Sequence, residues 1–264
     1  MKSRTYLKSS SMPVFIFFFV LIATIPGYAS LTVESCCQLN IGLEQQEAGY
    51  LGEALALTRK YCEEPNFLQA YCNEPNCFLQ QKGALRTAYD SNESGLYTSF
   101  NTTAGEYNTF KSQNAQAIEE YLNDPNSDPN IPTALYDLSR ETANLSKKIE
   151  TPTYCLLTIA VSKQEIGNLN ELIALAQQYS NDPNTFLQQE QLKRSEFESD
   201  AASLFASFGT TGGDYLFFAG KNKQRVDWYL NNCPDMGQTI GSLGSQLNTL
   251  MASYESLKAS ICGQ

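Results

Sequence analysis

Two stretches of the chain repeat each other 108 residues apart: SFNTTAGEY at 99–107 and SFGTTGGDY at 207–215. The same offset matches PNCFLQQ at 75–81 with PNTFLQQ at 183–189. Across 75–124, 21 of the 50 residues are identical to their counterparts. Unrelated sequences would share about three residues over that length. We interpret the repeat as an internal duplication that gives the protein two similar halves.

The repeated stretch has the residues that end one helix and begin the next. Asn101 and Gly209 occupy the same position, and both residue types tolerate the left-handed conformation that ends many helices. Thr103 and Thr211 follow as predicted N-caps, and an acidic residue stands three positions after each of them. The sequence therefore predicts a helix on each side of this turn in both halves.

Apolar residues between the turns recur at intervals of three and four, which is the period of one helix face. The clearest series lie within 131–149, 159–176 and 240–261, and we find no alternating pattern typical of a strand. We predict an all-α fold, a disulfide-bonded antiparallel bundle with coiled-coil packing, made of two helical halves at 30–150 and 151–264. The predicted helices lie near 40–61, 76–100, 104–123, 131–150, 155–180, 184–207, 213–231 and 237–261.

Residues 1–29 have the pattern of a signal peptide. Lys2, Arg4 and Lys8 precede an apolar run at 13–26, and small residues follow it. The run is shorter than the roughly 20 residues that a membrane-spanning helix needs. We therefore expect cleavage after residue 29, export to the periplasm or the extracellular space, and no integral membrane span in the mature protein.

Eight cysteines follow the predicted signal peptide. An even number of cysteines in an exported chain indicates a disulfide framework, here of up to four bridges. Five cysteines precede residue 150 and three follow it, so complete pairing would require an odd number of bridges between the halves. The disulfide candidates are Cys36, Cys37, Cys62, Cys72, Cys77, Cys155, Cys233 and Cys262.

Composition excludes several classes of function. The chain has 18 Lys and Arg against 28 Asp and Glu, a net charge of −10, which argues against nucleic acid as the main partner. It has no histidine, which removes Ser-His-Asp and Cys-His catalysis and histidine metal sites. We find no phosphate-binding loop or metal-ligand cluster. The sequence therefore predicts no catalytic residue, no metal and no cofactor, and it does not favour an enzyme.

The halves differ most between 111–120 and 219–228, where the second half gains basic residues and the only tryptophan. An aromatic residue flanked by cations on one helix face suits a protein contact, although ordinary packing gives the same pattern. Two arginines that recur 108 residues apart are further candidates, with helix-surface ion pairs as the alternative. The partner-contact candidates are Lys221, Arg225, Trp228, Arg86 and Arg194.

These observations favour a non-enzymatic structural or interaction protein of the cell envelope or extracellular space, which binds a protein partner or assembles with itself. One alternative is a helical carrier of an apolar or aromatic small ligand, with rings such as Tyr97 and Phe205 lining a cavity. Another is an accessory subunit of a secretion or pilus apparatus, which rests on architecture alone.

Overall fold

The computed structural model describes residues 31–63 and 76–263, and within them it has nine helices and no strand. The prediction of an all-α fold is confirmed for this part of the chain. The predicted signal peptide at 1–29 lies outside the described residues. The helices are α1 (Val33–Glu63), α2 (Asn76–Ser99), α3 (Ala104–Gln113), α4 (Ala115–Asn123), α5 (Asn130–Gln178), α6 (Pro183–Ser207), α7 (Gly212–Lys221), α8 (Lys223–Asn231) and α9 (Pro234–Cys262).

The repeated turn joins α2 to α3 in the first half and α6 to α7 in the second. Asn101 and Gly209 have φ angles of 52° and 72°, in the left-handed region. Thr103 and Thr211 are N-caps with the same φ and ψ, −119° and 162°, and each side chain accepts a hydrogen bond from the backbone N–H three residues later. The ends of α3 and α4 lie 108 residues before those of α7 and α8.

An asparagine divides each predicted helix that follows the turn. Asn114 separates α3 from α4, and Asn222 separates α7 from α8. The side-chain amide of Asn114 donates to the carbonyl of Phe110 at 2.9 Å, and that of Asn222 donates to the carbonyl of Phe218 at 3.2 Å. These amides compete with the backbone for helix carbonyls, and the regular helix is interrupted at this residue.

The long helix α5 replaces two predicted helices. It continues for 49 residues through Pro152, where the sequence predicts a break, and it crosses the predicted boundary at 150/151. An interior proline costs a helix roughly 3 kcal/mol. Burial offsets this cost, because Leu156, Leu157 and Ile159 follow the proline into the largest apolar cluster of the described chain. That cluster takes side chains from both predicted halves, and residues 31–264 form one compact unit.

Helix α5 packs against α1 with its first half and against α9 with its second half. The contacts show that α1 and α5 run parallel. The Thr142 hydroxyl of α5 lies 3.4 Å from the carboxylate of Glu44 of α1, and further along both helices Leu57 and Leu156 share one apolar cluster. The prediction of an antiparallel bundle is therefore wrong for this pair, although α2 does run antiparallel to α1, with Leu96 beside Gly42.

The short helices explain the parallel direction. Tyr107 of α3 belongs to the apolar cluster of Cys36 and Leu39 of α1, and Ile118 of α4 packs against this cluster, so these helices remain at the end where α1 begins. The chain therefore enters α5 from that same end. A single straight helix over 104–123 would have carried the chain to the opposite end and reversed the direction of α5.

One disulfide joins the predicted halves. Cys62, near the end of α1, bonds to Cys233, just before α9, with a Cα–Cα distance of 5.0 Å. Cys77 is also disulfide-bonded, and Cys72 lies outside the described residues. The prediction of a disulfide-bonded fold is confirmed by the bridge between Cys62 and Cys233.

Four of the eight disulfide candidates carry free thiols in the described chain, so pairing is not complete. Cys36 and Cys37 are adjacent in α1, and neighbouring side chains of a helix do not face each other. Cys155 is fully buried in the apolar cluster that also holds the bonded Cys233. Cys262 is exposed at the end of α9.

Candidate functional site

The structure separates the three predicted contact residues of the second half. Lys221 ends α7, whereas Arg225 and Trp228 belong to α8, so they do not share one continuous helix face. Arg225 points toward α5: its Nε donates to Thr151 at 2.6 Å, and its Nη2 lies 2.7 Å from Glu150. Arg225 therefore holds α8 against α5, while Trp228 stays 66% exposed.

Trp228 is one of three large apolar residues exposed on this part of the chain. Leu216 and Phe217 of α7 are 69% and 66% exposed, and the Lys221 ammonium lies 5.1 Å from the centre of the Phe217 ring. We call Leu216, Phe217 and Trp228 the α7–α8 apolar surface. Sequence reasoning found Trp228 but missed the other two, because Leu216 and Phe217 fit the pattern of a buried helix face.

The α7–α8 apolar surface has no apolar counterpart in the first half. The residues 108 positions earlier are Asn108, Thr109 and Glu120, all of them polar. The surrounding helices begin and end at matching positions, so the local structure does not require apolar residues here. Large apolar residues that are exposed where a similar local structure has polar ones are candidates for a contact surface.

Both recurring arginines are engaged in ion pairs within the fold. Arg86 of α2 lies 2.7 Å from Glu47 and 2.7 Å from Asp90, and its guanidinium stacks 5.0 Å from the ring centre of Tyr50. Arg194 of α6 lies 2.7 Å from Glu190. The alternative of a helix ion pair thus accounts for both residues.

Glu190 is a buried carboxylate that the sequence does not reveal. It is 4% exposed and accepts hydrogen bonds from Arg194 at 2.7 Å, Lys258 at 2.8 Å and the hydroxyl of Tyr254. Burial acts to raise the pKa of Glu190, but the hydrogen bonds from Lys258, Tyr254 and Arg194 outweigh it and lower the pKa. This cluster joins α6 to α9 and is fully satisfied, which fits a structural role.

A cleft of about 470 Å³ lies where α1, α2 and α5 meet α7. This volume falls within the roughly 300–1,000 Å³ of small-molecule sites. Tyr154 forms part of its wall and stacks on Tyr215 at 4.9 Å and on Phe218 at 5.0 Å between ring centres. The rings predicted to line a cavity, Tyr97 and Phe205, do not line this cleft; Phe205 packs against Tyr215 from elsewhere.

Two polar groups on the cleft wall have no partner among the described residues. Lys82 of α2 is half-buried and makes no ion pair or hydrogen bond with the described chain. Burial lowers the pKa of Lys82. The hydroxyl of Thr153 is buried and has no hydrogen-bond partner in the same part of the chain. Only one sequence signal relates to either group: the residue 108 positions after Lys82 is Glu190, of opposite charge.

In residues 31–63 and 76–263, no group of three His, Cys, Asp or Glu side chains is placed to hold a metal ion. No helix in these ranges has the length and apolar character needed to cross a membrane. Comparisons with protein-family models, with curated proteins and with solved structures find no match to this chain.

Proposed function

We propose that the protein is an exported, non-enzymatic structural protein that associates with further copies of itself through the α7–α8 apolar surface. The observation that carries this proposal is the exposure of Leu216, Phe217 and Trp228, each at least 66% accessible, at positions where the other half is polar. Removing such side chains from water on association is the main driving force of protein contacts. Export is supported by the signal pattern at 1–29 and by the disulfide between Cys62 and Cys233.

Charge favours a second copy of this chain as the partner. Lys221 is exposed beside the apolar residues, and Lys223 forms an ion pair with the exposed Asp227 at 2.8 Å. The same surface therefore carries charges of both signs, so Asp227 of a second copy can meet Lys221, and such complementarity fixes orientation and suppresses wrong partners.

The duplication supplies the variant that tests this proposal. The triple variant Leu216→Asn, Phe217→Thr, Trp228→Glu gives the second half the polar residues of the first. We expect the wild-type protein to form oligomers in sedimentation equilibrium between about 1 and 100 µM, and the triple variant to weaken association at least tenfold.

The matched control is a variant at an exposed apolar residue on another helix. In it, too, the residue is replaced by its counterpart from the first half. Leu192 of α6 is 55% exposed, and its counterpart in the first half is Ala84. Leu192→Ala should associate like the wild type. A wild-type protein that stays monomeric over this concentration range, or a triple variant that associates equally well, contradicts the proposal.

A second candidate function, carriage of an apolar or aromatic ligand, is favoured by the 470 Å³ cleft beside Tyr154. Stacked rings offer a flat apolar wall on which a planar ligand can pack. Saturable binding of N-phenyl-1-naphthylamine, a neutral aromatic dye, tests this function independently of self-association.

A further inference from the structure

We infer that the cleft between α1, α2, α5 and α7 binds a small aromatic anion, with the Lys82 ammonium holding its negative group and the rings around Tyr154 holding its aromatic part. This inference deepens the second candidate function, on which it rests, and it is independent of the α7–α8 apolar surface. Nothing in the sequence analysis points to Lys82.

Lys82 carries a positive charge that no described residue pairs with. A half-buried ammonium loses part of its hydration, and proteins normally compensate by placing a carboxylate beside it. The chain has 28 acidic residues, yet none of those described pairs with Lys82. The counterpart Glu190 shows the contrast, because that buried charge has three hydrogen-bonding partners. An anion bound in the cleft would supply the negative counter-charge that no described residue provides to the Lys82 ammonium.

Two carboxylates also line the cleft. Glu150 is neutralised by Arg225 at 2.7 Å. Asp214 accepts a hydrogen bond from Thr211 at 2.8 Å and lies in the first turn of α7, where the helix dipole offsets negative charge. Neither forms an ion pair with Lys82. Lys82 is therefore the one cation on the described wall of the cleft, and neither carboxylate is paired with it.

The aromatic rings on the cleft wall indicate the shape of the ligand. Tyr154, Tyr215 and Phe218 form a stacked set on one wall, with ring centres about 5 Å apart. A planar ring of the ligand can pack against these rings where they line the cleft. The unpartnered hydroxyl of Thr153 offers one hydrogen bond on the same wall. A volume of 470 Å³ accommodates one or two fused rings with an acidic group, which defines the class as aromatic carboxylates and sulfonates.

Two dyes of nearly the same skeleton separate the charge from the aromatic contact. One is 1-anilinonaphthalene-8-sulfonate, an anion, and the other is neutral N-phenyl-1-naphthylamine. Fluorescence titrations at pH 7 would compare the wild type with Lys82→Met, which keeps the stem, and Lys82→Arg, which keeps the charge. We expect Lys82→Met to weaken binding of the anionic dye at least tenfold and of the neutral dye less than twofold. Lys82→Arg should bind both dyes within threefold of the wild type.

The triple variant of the α7–α8 apolar surface is the control for dye bound on the outside, and it should bind the anionic dye like the wild type. Circular dichroism checks that each variant is folded, and Lys82→Gln replaces Lys82→Met if the latter is not. Unchanged affinity of the anionic dye in the variant without the charge overturns the inference but leaves an apolar carrier standing. Failure of both dyes to bind overturns the carrier function as well. Loss of dye binding in the triple variant places the dye on the surface and also overturns the inference.

Discussion

The Lys258 ammonium of α9 donates a 2.8 Å hydrogen bond to the carboxylate of Glu190 of α6, where Glu190 is 4% exposed. The two residues lie 68 positions apart in the sequence. Together with Arg194 and Tyr254 they form a buried polar cluster that fixes one helix against the other. A buried carboxylate with three donors holds its helices in one arrangement, because any shift would leave the charge unpaired.

Replacing this carboxylate should destabilise the protein. We expect Glu190→Gln to lower the free energy of unfolding by about 1–3 kcal/mol, a range kept modest because Arg194 and Lys258 remain partly exposed and can be solvated. Urea denaturation followed by circular dichroism measures the change. The control is Glu196→Gln on the same helix, an exposed ion pair with Lys193 that should cost less than about 1 kcal/mol. If both variants lose the same free energy of unfolding, the Glu190 cluster stabilises the fold no more than an exposed ion pair does.

The contribution of Glu190 to the stability of the protein should depend on pH. Its pKa is lowered in the folded protein, so its contribution is fully present above the unfolded pKa of about 4.3 and is lost as pH falls through the folded pKa. The difference in melting temperature between wild type and Glu190→Gln should therefore be largest above about pH 5 and should shrink in more acidic solution. A difference that grows toward low pH contradicts the assigned direction of the shift.

The charge of Lys82 should not stabilise the free protein. Because this half-buried ammonium has no partner among the described residues, Lys82→Met should leave the free energy of unfolding unchanged or raise it by up to about 1 kcal/mol. Arg86 on the same helix is the comparison, since Arg86→Met breaks ion pairs to Glu47 and Asp90 and should destabilise. Chemical denaturation measures the free energy of unfolding of both variants. A clear loss of stability in Lys82→Met would mean that the fold already compensates this charge.

The repeated turn needs its left-handed residue. Gly209 has a φ of 72°, so Gly209→Ala should cost about 1 kcal/mol, even though an added Cβ would meet no atom within 4 Å. Gly167 in the interior of α5 also has open space around it, and there the same substitution should stabilise by about 0.5–1 kcal/mol. Thermal melts of the two variants should move in opposite directions. Shifts of the same sign would rule out the backbone explanation.

Thiol reactivity should divide the free cysteines by burial. Cys262 is exposed and should react with iodoacetamide in the native protein within minutes. Cys155 is fully buried, which raises its pKa to about 12, and it should react only after unfolding. Peptide mass mapping after brief labelling measures both sites, with Cys262→Ser as the control for background. Rapid native labelling of Cys155 would mean that the apolar cluster around it is open.

Local features of the fold were predictable because they depend on residues close in sequence. Thr103 and Thr211 cap their helices, and Asn101 and Gly209 take the left-handed conformation, as the repeated turn indicates. The continuous α5 was not predictable, because its passage through Pro152 depends on burial against helices far along the chain. The parallel direction of α1 and α5 depends on the short helices α3 and α4, whose division at Asn114 has no strong signal in the sequence.

Some residues of the candidate sites were likewise predictable from the sequence, and others were not. Trp228 could be chosen from composition as a contact candidate, and it is exposed, whereas the inward direction of Arg225 depends on Glu150, 75 residues away. Lys82 could not be singled out from the sequence, since an unpaired charge is recognisable only once its surroundings are known. For the same reason the pairing of Cys62 with Cys233, 171 residues apart, could not be chosen among the possible bridges.

Native mass spectrometry of the purified protein tests self-association through the α7–α8 apolar surface most directly. We predict oligomers of the bare chain whose proportion rises with concentration, and mainly monomers for the variant Leu216→Asn, Phe217→Thr, Trp228→Glu. A wild-type protein that remains monomeric up to about 100 µM, a concentration at which even a weak contact of micromolar Kd is populated, would contradict the account.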